Sequence, residues 1–185
     1  MKRILCAVFA VLLLTGCTGK NEELDRAMTL RAELLANAVS FDAEITADYG
    51  DESYTFSMNC IADTKGELTF TVTAPESIAG ISGSISSTGG KLTFDNTALA
   101  FQLMADDQIS PVSAPWVLMK TLRGGYLTSC NLEGEYLRVA IDDSYEEDAL
   151  HLDIWLDSNN VPKTAEVYWK GRRLLTVSVS NFTMV

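Results

Sequence analysis

The sequence predicts a mainly β, α+β domain: a single antiparallel sheet of about 10–11 strands, curled into an incomplete barrel, with an N-terminal helix and an inserted lid helix. Three observations predict it. Apolar and polar residues alternate with period two along most of the chain beyond Gly50, only two stretches carry helical signals, and turn residues fall at hairpin spacing. So many one-sided strands need a cover, and two helices shield too little of an open sheet that wide. The sheet must therefore curl around its own apolar face. A strongly curled sheet either encloses a ligand-sized apolar cavity or closes on a fully packed core, and the strand pattern alone leaves both open.

The chain begins outside this domain. Met1-Lys2-Arg3 is a basic head, and Ile4 to Leu14 is an eleven-residue apolar run, too short to span a bilayer as a helix. Thr15 and Gly16 are small residues directly ahead of Cys17. The division expected is a leader over 1–16, a lipidated Cys17 with a short polar linker over 17–21, and one domain over 22–185. Two or three acyl chains, at about 0.8 kcal/mol per buried methylene, would hold the protein to the membrane surface far more firmly than a single myristoyl group. A cut before Cys17 leaves 169 of the 185 residues, which suits one core. It also removes Lys2 and Arg3, so 12 basic residues face 25 acidic ones, a side-chain charge of −13. Such a surface repels nucleic acid and anionic headgroups, and no basic patch relieves it. Cys6 leaves with the leader, so Cys60 and Cys130 remain either as a disulfide or as two free thiols.

Each element has its own reason. From Glu22 to Ser40, Leu24, Met28, Leu34, Leu35, Ala38 and Val39 recur near helical spacing, which predicts an amphipathic helix. Between Ser53 and Ile61, Tyr54, Phe56, Met58 and Cys60 share one face of a strand. The alternation returns at Leu68-Phe70-Val72, Ile81 to Ile85, Leu92-Phe94 and Leu99-Phe101-Leu103, with turns at Lys65-Gly66, Pro75-Glu76, Gly89-Gly90 and Asp95-Asn96. Ser113 to Gly124 then breaks the meander with a Ser cap, Pro in the first turn, a basic last turn and a terminal Gly, the marks of a second helix. Strands resume at Tyr126–Asn131, Tyr136–Ile141, Ala149–Asp157, Thr164–Lys170 and Arg173–Phe182.

The order of these parts resembles the LolA/LolB-like fold of lipoprotein-localisation factors and related lipid-carrying lipoproteins. The resemblance is carried by the N-terminal helix, by Phe41 to Tyr49 leading into a paired strand and by Leu68-Thr69-Phe70-Thr71-Val72-Thr73-Ala74-Pro75. The Gly89 to Asp95 hairpin, the Pro115-Trp116 helix and the terminal Val177 to Phe182 strand complete it. It implies an incomplete barrel with helices forming a lid over an apolar cavity for acyl chains, and the leader makes this chain look like an anchored member rather than a shuttling carrier. Lipoproteins of this fold in spore-forming bacteria act in germination by binding other proteins, so fold does not settle function.

Candidate cavity walls are Phe56, Met58, Phe70, Phe94, Phe101, Leu103, Trp116, Met119, Leu152 and Ile154, although any one such residue is more often simple core than cavity wall. Trp116, Val117, Met119 and Leu122 would form the apolar side of the lid. His151 is the only histidine and shares a strand face with Asp153, but no serine or cysteine nucleophile stands beside it in a recognisable elbow. Asp142, Asp143, Glu146, Glu147 and Asp148 lack the ligand spacing and central glycine of a calcium loop, and read as a charged hairpin tip. Gly89-Gly90-Lys91 is followed by Leu92 where a phosphate loop needs Ser or Thr. The Asn181-Phe182-Thr183 sequon carries little weight behind a bacterial export leader. Strands this short do not suit a membrane-spanning barrel.

The expectation is a non-enzymatic, cofactor- and metal-free protein. It sits in the bacterial cell envelope, anchored by lipid on the extracytoplasmic side, and binds acyl chains of a lipid or lipoprotein. The alternative is an envelope protein-interaction lipoprotein with a filled core and a protein partner.

Overall fold

The computed structural model describes residues 21–50, 52–95, 97–105 and 108–185. The leader 1–16, Cys17 and all of the linker except Asn21 lie outside the described residues. The chain opens with helix α1, Glu22–Ala36, whose first turn is capped by Asn21: its side-chain oxygen accepts the Leu24 N–H at 3.0 Å, and Glu22, Glu23 and Asp25 complement the helix dipole. The sequence reading carried this helix to Ser40, but it ends at Ala36, with Asn37 extended and its N–H bonded back to Glu33. The physical reason lies just beyond. From Val39 the residues alternate strictly as V-S-F-D-A-E-I-T-A-D, and pairing on both sides of that strand outweighs another turn of helix. The buried stripe of α1 is Ala27, Leu30 and Leu34, whereas Leu24, Met28 and Leu35 face outward.

Six strands then run as a meander: β1 (Val39–Asp48), β2 (Ser53–Ala62), β3 (Leu68–Ala74), β4 (Ser82–Ser86), β5 (Gly89–Phe94) and β6 (Thr97–Phe101). A small two-stranded hairpin of β7 (Met104–Ala105) and β8 (Gln108–Ile109), absent from the sequence reading, follows β6. A single 3-10 turn over Pro111–Ser113 leads into α2, Ala114–Gly124. The second meander is β9 (Tyr126–Glu133), β10 (Tyr136–Asp142), β11 (Leu150–Leu156), β12 (Pro162–Trp169) and β13 (Arg172–Met184). Strand β13 returns to pair with β1, giving one antiparallel sheet of 11 strands in the order β6-β5-β4-β3-β2-β1-β13-β12-β11-β10-β9. The sheet is not closed, and β6 and β9 are its two edges.

This topology explains where α2 must go. It connects strands at opposite edges of one sheet, so it has to cross a face, and it crosses the inner one. There it joins a single core with Phe41, Ile45, Met58, Leu68, Leu137, Leu152 and Ile154. The inserted helix is therefore where the sequence puts it, but it is far more deeply set than a detachable cover. Ala114 through Met119, Thr121 and Leu122 are all buried, not one apolar side alone. Trp116 is 7 % exposed. The expected Ser113 side-chain cap is not made either, since its Oγ donates to the Ser110 carbonyl at 2.6 Å.

Two arginines lock the helices to each other. Arg31 of α1 donates from Nε to the Leu122 carbonyl and from Nη2 to the Gly125 carbonyl, both at 2.8 Å, satisfying orphan acceptors at the end of α2. Arg123 of α2 does the reciprocal work at the end of α1. It donates from Nε to Leu34 O at 2.9 Å and from Nη2 to Asn37 O at 3.3 Å, and its Nη1 reaches the Asp63 carbonyl in the β2–β3 turn. On the other side α1 is pinned to the β11–β12 turn, where Arg26 donates to the Asn160 side chain at 2.8 Å and the Asp157 carbonyl at 2.9 Å. Among the described residues no helix is long and apolar enough to cross a membrane.

Candidate functional site

Because α2 fills the middle of the concavity, the free space lies beside it. A cleft of about 330 Å³ opens between the C-terminal end of α1, the β2–β3 turn, the tip of the β4–β5 hairpin and one side of α2. Leu35, Ala62, Leu68, Trp116 and Met119 give it apolar walls, and Lys65, Glu67, Lys120 and Arg123 stand among its polar lining. The indole of Trp116 is oriented by its own N–H, which donates to the Gly66 carbonyl across the cleft at 2.9 Å. Lys120 Nζ lies 5.5 Å from the centre of the Trp116 ring and 3.4 Å from Asp143, so this cation is partly engaged on the protein. Burial pulls the Arg123 guanidinium below its usual range while nearby Asp63 opposes that, and the carbonyl ligands described above hold it in place.

A second apolar surface continues from this cleft. Leu68 pairs with Ile85, Ile85 with Gly90 and Gly90 with Phe101, a row running from the cleft wall to the sheet edge. In the next row on the same face, Phe70, Gly83, Leu92 and Leu99 are paired in turn. Glycine is needed twice here for close approach. A Cβ on Gly90 would fall 2.1 Å from the Phe101 ring, and one on Gly83 would meet the Lys91 carbonyl oxygen at 2.1 Å and the Phe70 ring at 2.8 Å. The aromatic rings thus come up against the backbone of the neighbouring strand.

The sequence-predicted walls divide into three groups. Met58, Phe70, Trp116, Met119, Leu152 and Ile154 are buried together in the core, and of these only Trp116 and Met119 line the cleft. Phe56, Phe101 and Leu103 are half-buried against that core. Phe94 is not brought in, being 55 % exposed on the far wing. Leu35, Ala62 and Leu68 line the cleft without having been singled out for it. A contributor at helical spacing cannot be assigned to core or cleft until the neighbouring turn is placed. Cys60 and Cys130 are both free thiols, one on β2 and one on β9, and burial pushes each thiol up from its ordinary range. His151 lies on the outer face of β11, with Nδ1 2.7 Å from Asp142 and Nε2 3.4 Å from Asp153. The acidic group from Asp142 to Asp148 forms the β10–β11 connection, where Asp143 accepts the Leu150 N–H at 2.8 Å.

No protein-family model matches the chain, and no curated protein matches it in sequence. Among solved structures it is similar to a LolA superfamily protein from Nitrosomonas europaea, with 10% identity, a TM-score of 0.48, and 86% of this chain and 93% of that one covered. It is similar to a chain in the complex of the CwlD amidase with the GerS lipoprotein from Clostridioides difficile, at 13% identity and a TM-score of 0.43 over 91% and 98% of the two chains. It is similar also to the lipoprotein LppX from Mycobacterium tuberculosis, at 9% identity and a TM-score of 0.41 over 87% and 93%.

Proposed function

We propose that the protein is a lipid-anchored lipoprotein of the bacterial cell envelope that holds an acyl chain or a comparable lipophilic group against the inner face of its open sheet. The observation that carries this reading is the cleft of about 330 Å³ between Leu35, Leu68, Trp116 and Met119. It is apolar in its walls, polar where it meets solvent, and continuous through the Leu68–Ile85–Gly90–Phe101 row with a further apolar surface. A chain slid along α2 needs no displacement of that helix, which suits a helix buried on nearly every side. Cys17, as the acylated residue, would keep the domain within reach of the bilayer from which such a ligand comes.

Native mass spectrometry of the chain from residue 18 onward tests it: adducts of lipid mass support the reading. Leu35→Glu, at an exposed position on the cleft wall, should reduce those adducts at least tenfold and leave stability within about 0.5 kcal/mol. A clean apo mass in lipid-loaded preparations, or adducts indifferent to Leu35→Glu, would sink it. One observation favours the second reading, a protein-interaction lipoprotein. The central concavity is occupied by α2, so the core is filled while a sheet edge stays open.

A further inference from the structure

We infer that the open edge at β6 is a self-association surface, on which a second copy of this chain pairs its own β6 antiparallel about a two-fold axis. Edge strands expose unpaired backbone groups, and proteins ordinarily guard them with charge, proline, bulges or a covering element. Among the described residues strand β6 has none of these guards. Its sequence is Thr97-Ala98-Leu99-Ala100-Phe101, without charge or proline, and its only strand partner among the described residues is β5. Its first four residues are exposed, Leu99 by 64 %.

The occupant is specified by the order of those five residues. Pairing the strand with itself about Leu99 sets Leu99 opposite Leu99 of the partner subunit, Ala98 opposite the partner's Ala100, and Thr97 opposite the partner's Phe101. No like charges meet, and the Thr–Phe pairs are of the β-branched–aromatic kind that stabilises antiparallel neighbours. Directly opposed residues share a face, and Leu99 shares its face with Leu92 and, through Gly83, with buried Phe70. The two inner faces therefore open on the same side, and the Leu92–Leu99 row of one copy continues into that of the other. An isologous contact of this kind closes on itself and leaves each β9 edge free. Five residues of edge pairing bury less than the roughly 1,200 Å² typical of stable complexes, so the dimer is weak and concentration-dependent. Confinement to a membrane would raise its occupancy.

The test uses the full chain, produced with its own leader and oxidised in isolated membranes. Leu99→Cys places two thiols at directly opposed strand positions, about 4.5–5.5 Å apart at Cα, within disulfide range. It should give a disulfide-linked dimer band on a non-reducing gel, at least tenfold stronger than that from Leu132→Cys, a comparably exposed apolar site on the opposite edge strand. In detergent, sedimentation of the wild-type chain should show a concentration-dependent dimer that Leu99→Lys removes. Failure of Leu99→Cys to cross-link, equal cross-linking through Leu132→Cys, or a wild-type chain that stays monomeric at every concentration would overturn the proposal. A different protein's strand recovered on β6 in place of a second copy would overturn it as well.

Discussion

The two halves of the sheet solve the same burial problem differently. In the second meander the inward residues of β10, β11 and β12, from Leu137 and Val139 through Leu152, Ile154 and Leu156 to Ala165 and Val167, are buried, with only Trp169 at the end of β12 partly so, and on that side α2 packs against β10 and α1 against β9. In the first meander burial fades outward. Phe70 on β3 and Ile85 on β4 are buried, Leu92 on β5 is half-buried, and Leu99 on β6 is largely exposed. Both meanders alternate, so alternation alone does not decide which inner face is covered. Two helices of 15 and 11 residues cannot span 11 strands. What they leave uncovered is the cleft, the wing and the edge, the parts available for binding.

The sharpest way to break this contrast is to truncate the same kind of side chain in each half. Trp116→Ala removes a buried indole and its bond to Gly66, and should cost about 3–5 kcal/mol in a denaturant titration. Leu152→Ala should cost about 2–5 kcal/mol, because that site is fully enclosed. Leu99→Ala on the wing should stay within about 0.5 kcal/mol in the monomer. A cost for Leu99→Ala approaching that of Leu152→Ala would show the wing to be core. Near-neutral unfolding of Trp116→Ala would show α2 to be a mobile lid after all.

Much of this fold was legible, and the misses are instructive. Strand β11 was the most readable because Leu150, Leu152, Ile154 and Leu156 repeat with a clean period of two, and α2 was readable because Pro115 and Gly124 bracket it. Strand β1 was obscured by local spacing: Leu34, Leu35, Ala38 and Val39 continue a helical pattern across a boundary that only pairing with β2 and β13 decides. The site was harder. Whether Met58 or Met119 lines a void depends on how far α2 sinks into the sheet, a tertiary quantity with no local signature. The reciprocal binding of Arg31 and Arg123 to the opposite helix ends has only a weak trace, a basic residue in the last turn of α2.

A smaller effect sharpens the comparison within the wing. Gly83→Ala drives a methyl group into the backbone at Lys91, which cannot yield as a flexible side chain would. The expected cost is about 1–3 kcal/mol. It should be felt locally, as faster amide exchange in β4, β5 and β6 with β10 to β12 unchanged. Uniform loss of protection across all strands would mean that the wing and the covered half unfold as one unit.

The smallest effect concerns the turn that pins α1 to the covered half. Burial pushes the Asp157 carboxyl up, but the Val161 and Asn159 backbone N–H groups, at 3.0 and 2.8 Å, together with Lys163 outweigh it and hold the group below its ordinary range. A depressed carboxylate adds stability that is present above its unfolded value, near pH 4, and is lost as pH falls through the lower folded value. Asp157→Asn keeps an acceptor for the turn and removes the titration. The variant should therefore be less stable than the parent at neutral pH by a small margin that closes below about pH 4. Because Arg26 binds Asn160 and the Asp157 carbonyl in this same turn, the loss should appear first as faster exchange in α1. Parallel stability curves for the two proteins down to pH 2 would show that the Asp157 charge contributes nothing to that attachment.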